Sequence, residues 1–275
     1  MKLKRRELLL FLGAGAATIA VGSFLATRRK NLFSGTGLSF QPVKGAMPLD
    51  IYDIAPAQQV KDYSTYEVID DLVLPEGYTY DIVAAWGDKI GNSRFGYNND
   101  YLSFIETGKD EGYLTINFEY ISAIPWMQTY QQVTGKSLPF AEVQAAVKKA
   151  GKAGINAFAL PKEEEALKAK ISQICTEALL DQGMGVISIR READGKWVRT
   201  NSKADRRISG ISGLEDNRYL KTTGPGAAVF RKTKGQGYID KLGDRIIGTF
   251  ANCAGGTTPW GTVLSGEENF QSQVT

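Results

Sequence analysis

The sequence predicts a mainly β protein interrupted by one α-helical insertion. Three observations lead there. Glycine makes up 30 of the 275 residues, about 11 % against roughly 7 % in average usage, which suits a turn-dense chain. Short β-branched and aromatic runs recur between Gly, Pro, Asn and Asp turn signals, the pattern of sandwiches, barrels and propellers. An Ala-, Glu- and Lys-rich stretch at about 138–182 breaks that pattern with helical spacing. The length allows one or two domains with a sizeable core.

Residues 1–30 read as an address. Lys2–Arg6 is a basic patch, and Leu8–Ala26 carries no charge, so the two form the n- and h-regions of an export signal or anchor. The pair Arg5-Arg6 followed by Glu7 and Leu8-Leu9 resembles a twin-arginine (Tat) signal. Without this leader the chain holds 26 basic and 29 acidic residues, and a mildly acidic body gives no reason to expect nucleic-acid binding. Membrane association is expected only through the leader, and a monomeric state is expected.

Residues 31–70 are irregular, broken by Gly35, Gly37, Pro42, Gly45, Pro48 and Pro56. From residue 71 the main domain begins. Leu74-Pro75-Glu76-Gly77 predicts a turn leading into a strand over Tyr78–Ala85. Tyr101–Ile105 and Tyr113–Tyr120 predict a strand pair, and Asp194-Gly195 predicts a hairpin turn between Val186–Arg190 and Lys196–Arg199. In the insertion, Phe140–Lys149 and Pro161–Leu180 predict two helices, the second with Pro161 at its first position and Glu163–Glu165 in its first turn. Leu167, Ile171, Ile174, Cys175 and Ala178 share one face there, so Cys175 is expected in the core. Apolar runs at Ala227–Arg231, Arg245–Phe250 and Thr262–Leu264 then predict further short strands.

Chemistry is narrowed by absence. The chain has no His, which excludes a His-based triad and His-ligated zinc or haem. Gly256–Gly261 followed by Thr262 fits a phosphate loop loosely, but it lacks the lysine and no helix pattern follows. The informative segment is Gly248–Phe270, GTFANCAGGTTPWGTVLSGEENF. It brings Cys253, Glu267 and Glu268 together among small residues that let backbone and ligand approach closely. A thiol beside carboxylates has a raised pKa unless a metal offsets it. The residues alone leave two readings, a metal site and a tightly turned core segment. Adjacent Glu267 and Glu268 on a strand point to opposite faces, so one of them is expected to look inward.

This segment resembles the signature of the PhoX-type alkaline phosphatases, a family of exported, Tat-dependent phosphomonoesterases. Leu74–Tyr78, Phe95–Asp100, Asn117–Tyr120, Asp205–Ile208 and Gly224–Ala228 resemble the family's other landmarks in order. The resemblance implies an irregular six-bladed β-propeller, incomplete in this chain, with an iron–calcium cluster in its channel. It matches Cys253 to an iron-binding cysteine, Glu267 or Glu268 to a metal-binding glutamate, and Glu119 to another. The implied substrates are small phosphate esters, the implied partner is the Tat machinery, and the implied location is periplasmic or extracellular. Two departures stand out. Phe118 occupies the place of a family histidine in Asn117-Phe118-Glu119. Six blades also need about 250 residues, more than the body offers once the leader, the irregular start and the insertion are set aside. The expectation is therefore an N-terminal part of a longer enzyme, inactive alone. The alternative is a non-catalytic exported propeller acting as a binding or adhesion module, which the loss of the motif histidine favours.

Overall fold

The structure, a computed structural model, describes residues 54–64, 71–214, 216–225, 227–230 and 241–268. The export signal and nearly all of the irregular segment lie outside the described residues. The chain divides into two units, 1–80 and 81–275. In the first, α1 spans Pro56–Ser64 and buries none of its residues.

The second unit opens with two short strands, β1 (Lys89–Ile90) and β2 (Ser93–Arg94), followed by the long strands β3 (Asn99–Gly108) and β4 (Glu111–Phe118). Three helices come next: α2 (Ala123–Thr134), α3 (Phe140–Ala150) and α4 (Glu165–Asp181). Then follow β5 (Gly183–Arg191), β6 (Trp197–Arg199), β7 (Arg206–Ile208), β8 (Leu220–Lys221), α5 (Ala227–Phe230), β9 (Arg245–Ile246), β10 (Asn252–Thr257) and β11 (Val263–Glu267). The described residues are mainly sheet with some helix, and they close no barrel or propeller.

The centre is a five-stranded antiparallel sheet, β3-β4-β5-β6, with β7 also paired to β5. Its two faces differ because side chains alternate along each strand. One face of β4 and β5 presents Ile116, Phe118, Ile187 and Ile189, which join Ile90 and Phe95 in the core. Gly183 and Gly185 stand opposite Phe118 and Ile116 in the ladder and leave room for the large rings. Phe118 meets Phe95 edge-on at 4.8 Å, and the Arg207 guanidinium lies 4.3 Å from its ring centre. The opposite face carries Asn117, where the β10–β11 hairpin attaches.

Several expected elements are corrected. Tyr78–Ala85 forms no strand among the described residues; its residues Tyr78, Tyr80 and Ile82 are exposed, since β composition gives no ladder without a partner. Ala227–Phe230 is a short helical turn, and Arg245–Phe250 is a strand over only its first two residues. The helical region begins at Ala123, well before residue 138. Pro161 stands outside α4 in extended conformation, and a 3-10 turn over Lys162–Glu164 leads into the helix. Cys175 is exposed, because the face α4 buries is set by the ions at Glu177 and Asp181 and not by the apolar stripe.

Those ions join the helices to the sheet. Asp181 is fully buried and takes hydrogen bonds from Arg94 Nε at 2.6 Å and Trp126 Nε1 at 2.8 Å. Glu177 receives Arg94 Nη1 at 2.8 Å, the Tyr130 hydroxyl at 2.6 Å and Lys136 Nζ at 3.1 Å. Every buried charge here has a partner, which is the condition for burying it without a large desolvation penalty.

Candidate metal centre

Three side chains able to hold a metal converge where β3, β4 and β10 meet. Asp100, Glu119 and Cys253 each offer a ligand atom, and these atoms all lie within 4.8 Å of one another. Two of the three sit in register breaks, and the third lies just past a strand end. β3 pairs Asn99 with Phe118 and then Leu102 with Ile116, so Asp100 and Tyr101 together oppose Asn117. β10 pairs Asn252 with Glu267 and then Gly255 with Ser265, so Cys253 and Ala254 together oppose Gly266. Glu119 follows the last residue of β4, and its N–H donates to the Asn98 carbonyl at 3.0 Å. Bulges re-aim side chains out of strict alternation, and here they bring a thiol and carboxylates to one point.

The backbone around the bulges is specialised. Asn98 and Ala251 have φ of 54° and 50°; Asn tolerates this left-handed region, whereas for Ala it costs of order 1 kcal/mol or more. A Cβ on Gly255 would run into the Tyr101 ring, so glycine lets β10 lie close against β3. Thr257 ties the two strands further, meeting the Tyr101 hydroxyl at 2.8 Å and the Ser103 hydroxyl at 2.5 Å.

The electrostatics suit a cation. Cys253 Sγ donates to Asp100 Oδ2 at 3.2 Å. Hydrogen bonding to Glu268 and then to Asp100, with burial and the Glu119 charge adding, pushes the Cys253 thiol up to about 12. Burial first, then the Asp100 charge, lifts the Glu119 carboxyl above its ordinary value, although the Cys253 hydrogen bond works against this. Such crowding is relieved when a positive ion takes the place of the thiol proton. One sulfur among carboxylate oxygens fits iron, and the oxygens alone fit calcium.

Of the residues singled out in the sequence, Cys253 and Glu119 belong to this cluster, and Glu268 reaches the Cys253 thiol. Glu267 does not stand with them. Its Oε1 accepts the Thr249 hydroxyl at 2.8 Å and the Phe250 N–H at 3.2 Å. Asp100 was not anticipated, though it closes the motif Phe95–Asp100, and its position in a bulge shows only in the ladder. Arg207 is buried and donates to the carbonyls of Leu180 and Gln182. Burial draws its guanidinium down to about 9, leaving it charged at neutral pH. Trp260, expected in the core, is 78 % exposed. Gly256–Gly261 is the turn region of the β10–β11 hairpin and not a phosphate loop.

Residues 54–275 match the family model of the alkaline phosphatase PhoX. The chain belongs to the PhoX family. A solved structure of Pseudomonas fluorescens PhoX in complex with vanadate, a transition state analogue, is 28 % identical to this PhoX-family chain, with a TM-score of 0.46. The match covers 72 % of this chain and 30 % of that one, so this chain spans under a third of that relative's length. No curated protein matches.

Proposed function

We propose that the protein is a metal-dependent phosphomonoesterase that releases inorganic phosphate from small phosphate esters. Membership of the PhoX family supports the reaction class, and one observation carries the reading to named residues. Asp100, Glu119 and Cys253 gather their ligand atoms within 4.8 Å, with Glu268 beside the thiol. Iron is assigned to the end of the cluster holding Cys253 and calcium to the carboxylates. When bound, these ions supply charge neutralisation of the phosphate ester and polarisation of its P–O bond. The chain's own residues set the positions: the two bulges aim Asp100 and Cys253 at each other, and Glu119 is held from the Asn98 turn. The activity is assigned to a protein of the relative's full length, with the sheet described above as part of a six-bladed propeller, and this chain alone is read as inactive. Export by the Tat route to the periplasm or beyond is part of the same proposal; among the described residues no helix is long and apolar enough to cross a membrane.

The binding-module alternative drew on the missing histidine at 118. Phe118 is fully buried in the core, on the opposite face of β4 from Asn117. The substitution therefore takes no donor from the cluster, which favours the enzyme reading.

Metal analysis of the purified chain tests the centre: iron and calcium should co-purify, and Cys253→Ala should lose the iron. Assay of a full-length form on a chromogenic phosphate ester tests the reaction. A Cys253→Ala form with wild-type phosphatase activity would sink the proposal.

A further inference from the structure

We infer that Glu267 is a positioning residue for the Cys253 bulge rather than a member of the ligand set. The inference rests on the metal-centre reading for its functional weight, but its geometry stands independently.

A line of buried polar side chains runs beneath the bulge. Asn117, fully buried on β4, donates from Nδ2 to the Cys253 carbonyl at 2.7 Å. The Ser265 hydroxyl donates to Asn117 Oδ1 at 3.0 Å, and Asn252 Nδ2 donates to Ser265 at 2.9 Å. All three donors therefore point along one line towards the Cys253 backbone. At the far end Thr249 lies 3.1 Å from Asn252 Oδ1 and 2.8 Å from Glu267 Oε1. A hydroxyl has one proton, and the charged acceptor at the shorter distance takes it. The same Oε1 receives the Phe250 N–H, so Glu267 pins both residues that lead into Ala251, where the backbone turns left-handed.

Glu267 is thus committed to the turn that sets the bulge, while Glu268, on the other side of the strand, meets the thiol. Two adjacent carboxylates divide the work: one shapes the backbone that carries the cysteine, and one joins the charge around its sulfur. Buried amides suit this task because each is satisfied on both sides, and satisfied networks hold a single geometry.

An isosteric variant separates the roles. Glu267→Gln keeps the oxygen that accepts Thr249 and Phe250 and removes only the charge. In the metal-free full chain, iodoacetamide labelling of Cys253, resolved by peptide, should stay within about twofold of wild type, whereas Glu267→Leu should change it by about tenfold, the scale seen when a supporting partner is lost. Exposed Cys175 serves as the internal control and should not change. With cobalt(II) as the probe, read by its thiolate absorption, Glu267→Gln should bind within about twofold and Glu268→Gln about tenfold or more weakly. Equal cobalt losses in the two glutamine variants, or unchanged Cys253 labelling in Glu267→Leu, would overturn the inference. If a Glu267 variant does not fold, Thr249→Val applies the same test by removing the hydroxyl and leaving the charge; unchanged labelling there also overturns it. A wild-type chain that binds no cobalt would count against the metal centre, and the labelling results would still decide the role of Glu267.

Discussion

Asp100 and Cys253 are 153 positions apart and meet at 3.2 Å. Cys253 could be singled out in the sequence because a thiol among glycines and carboxylates is an unusual local composition. Asp100 could not, because an aspartate ending a polar loop looks like any other until the bulge at Asn99–Leu102 aims it. The pair yields a direct expectation. Asp100→Asn removes a charge from the cluster and leaves the fold in place, so metal affinity measured by competition with a chelator should fall about tenfold or more, at least the loss seen for outer-sphere partners. An unchanged affinity would remove Asp100 from the centre.

Among the elements, the helical region shows what periodicity can and cannot say. The compositions of Phe140–Lys149 and Pro161–Leu180 announced α3 and α4, whose spans are Phe140–Ala150 and Glu165–Asp181. They did not announce α2, whose mixed residues Ala123–Thr134 lack a strong stripe but bury Trp126 and Tyr130. Nor did the stripe on α4 say which face would be covered: Cys175 is exposed, and Asp181 is fully buried. The attachment is ionic, through Arg94 on β2. Asp181→Ala would leave Arg94 and Trp126 without their buried acceptor, and the expected cost is about 3–5 kcal/mol, the range for breaking a buried pair. Urea unfolding followed by tryptophan fluorescence measures it; a loss below about 1 kcal/mol would make the pair incidental.

For the molecule as a whole, acid should loosen the fold through Glu177. Burial by itself would raise this carboxyl, but hydrogen bonds from Tyr130, Arg94 and Lys136 outweigh it and hold the group below its ordinary 4.5. A carboxylate depressed in the folded state adds stability above its unfolded value, and that stability is lost as pH falls through the lower folded value. Urea midpoints should therefore drop from about pH 4.5 downward, and Glu177→Gln should flatten that part of the profile while lowering stability near neutrality. An identical pH profile in the variant would assign the acid loss elsewhere. Export is tested on the whole chain too: changing both Arg5 and Arg6 to Lys should keep the protein in the cytoplasm, as cell fractionation would show, and undiminished export would exclude the twin-arginine route.

By itself the sequence determined the mainly β character, the hairpins at Lys109–Asp110 and Asp194–Gly195, two of the three helices, and the family through its ordered motifs. All of these rest on local rules: alternation, helical spacing, turn residues and short signatures. Tertiary structure alone decided which carboxylates reach the thiol, that Phe118 faces the core, and that Tyr78–Ala85 stays unpaired as a strand. The physical reason is the same in each case. A strand needs a partner before its residues become a ladder, and one extra residue in a ladder reverses where the next side chain points. Asp100 and Cys253 owe their meeting to two such extra residues, on strands that only the fold brings together.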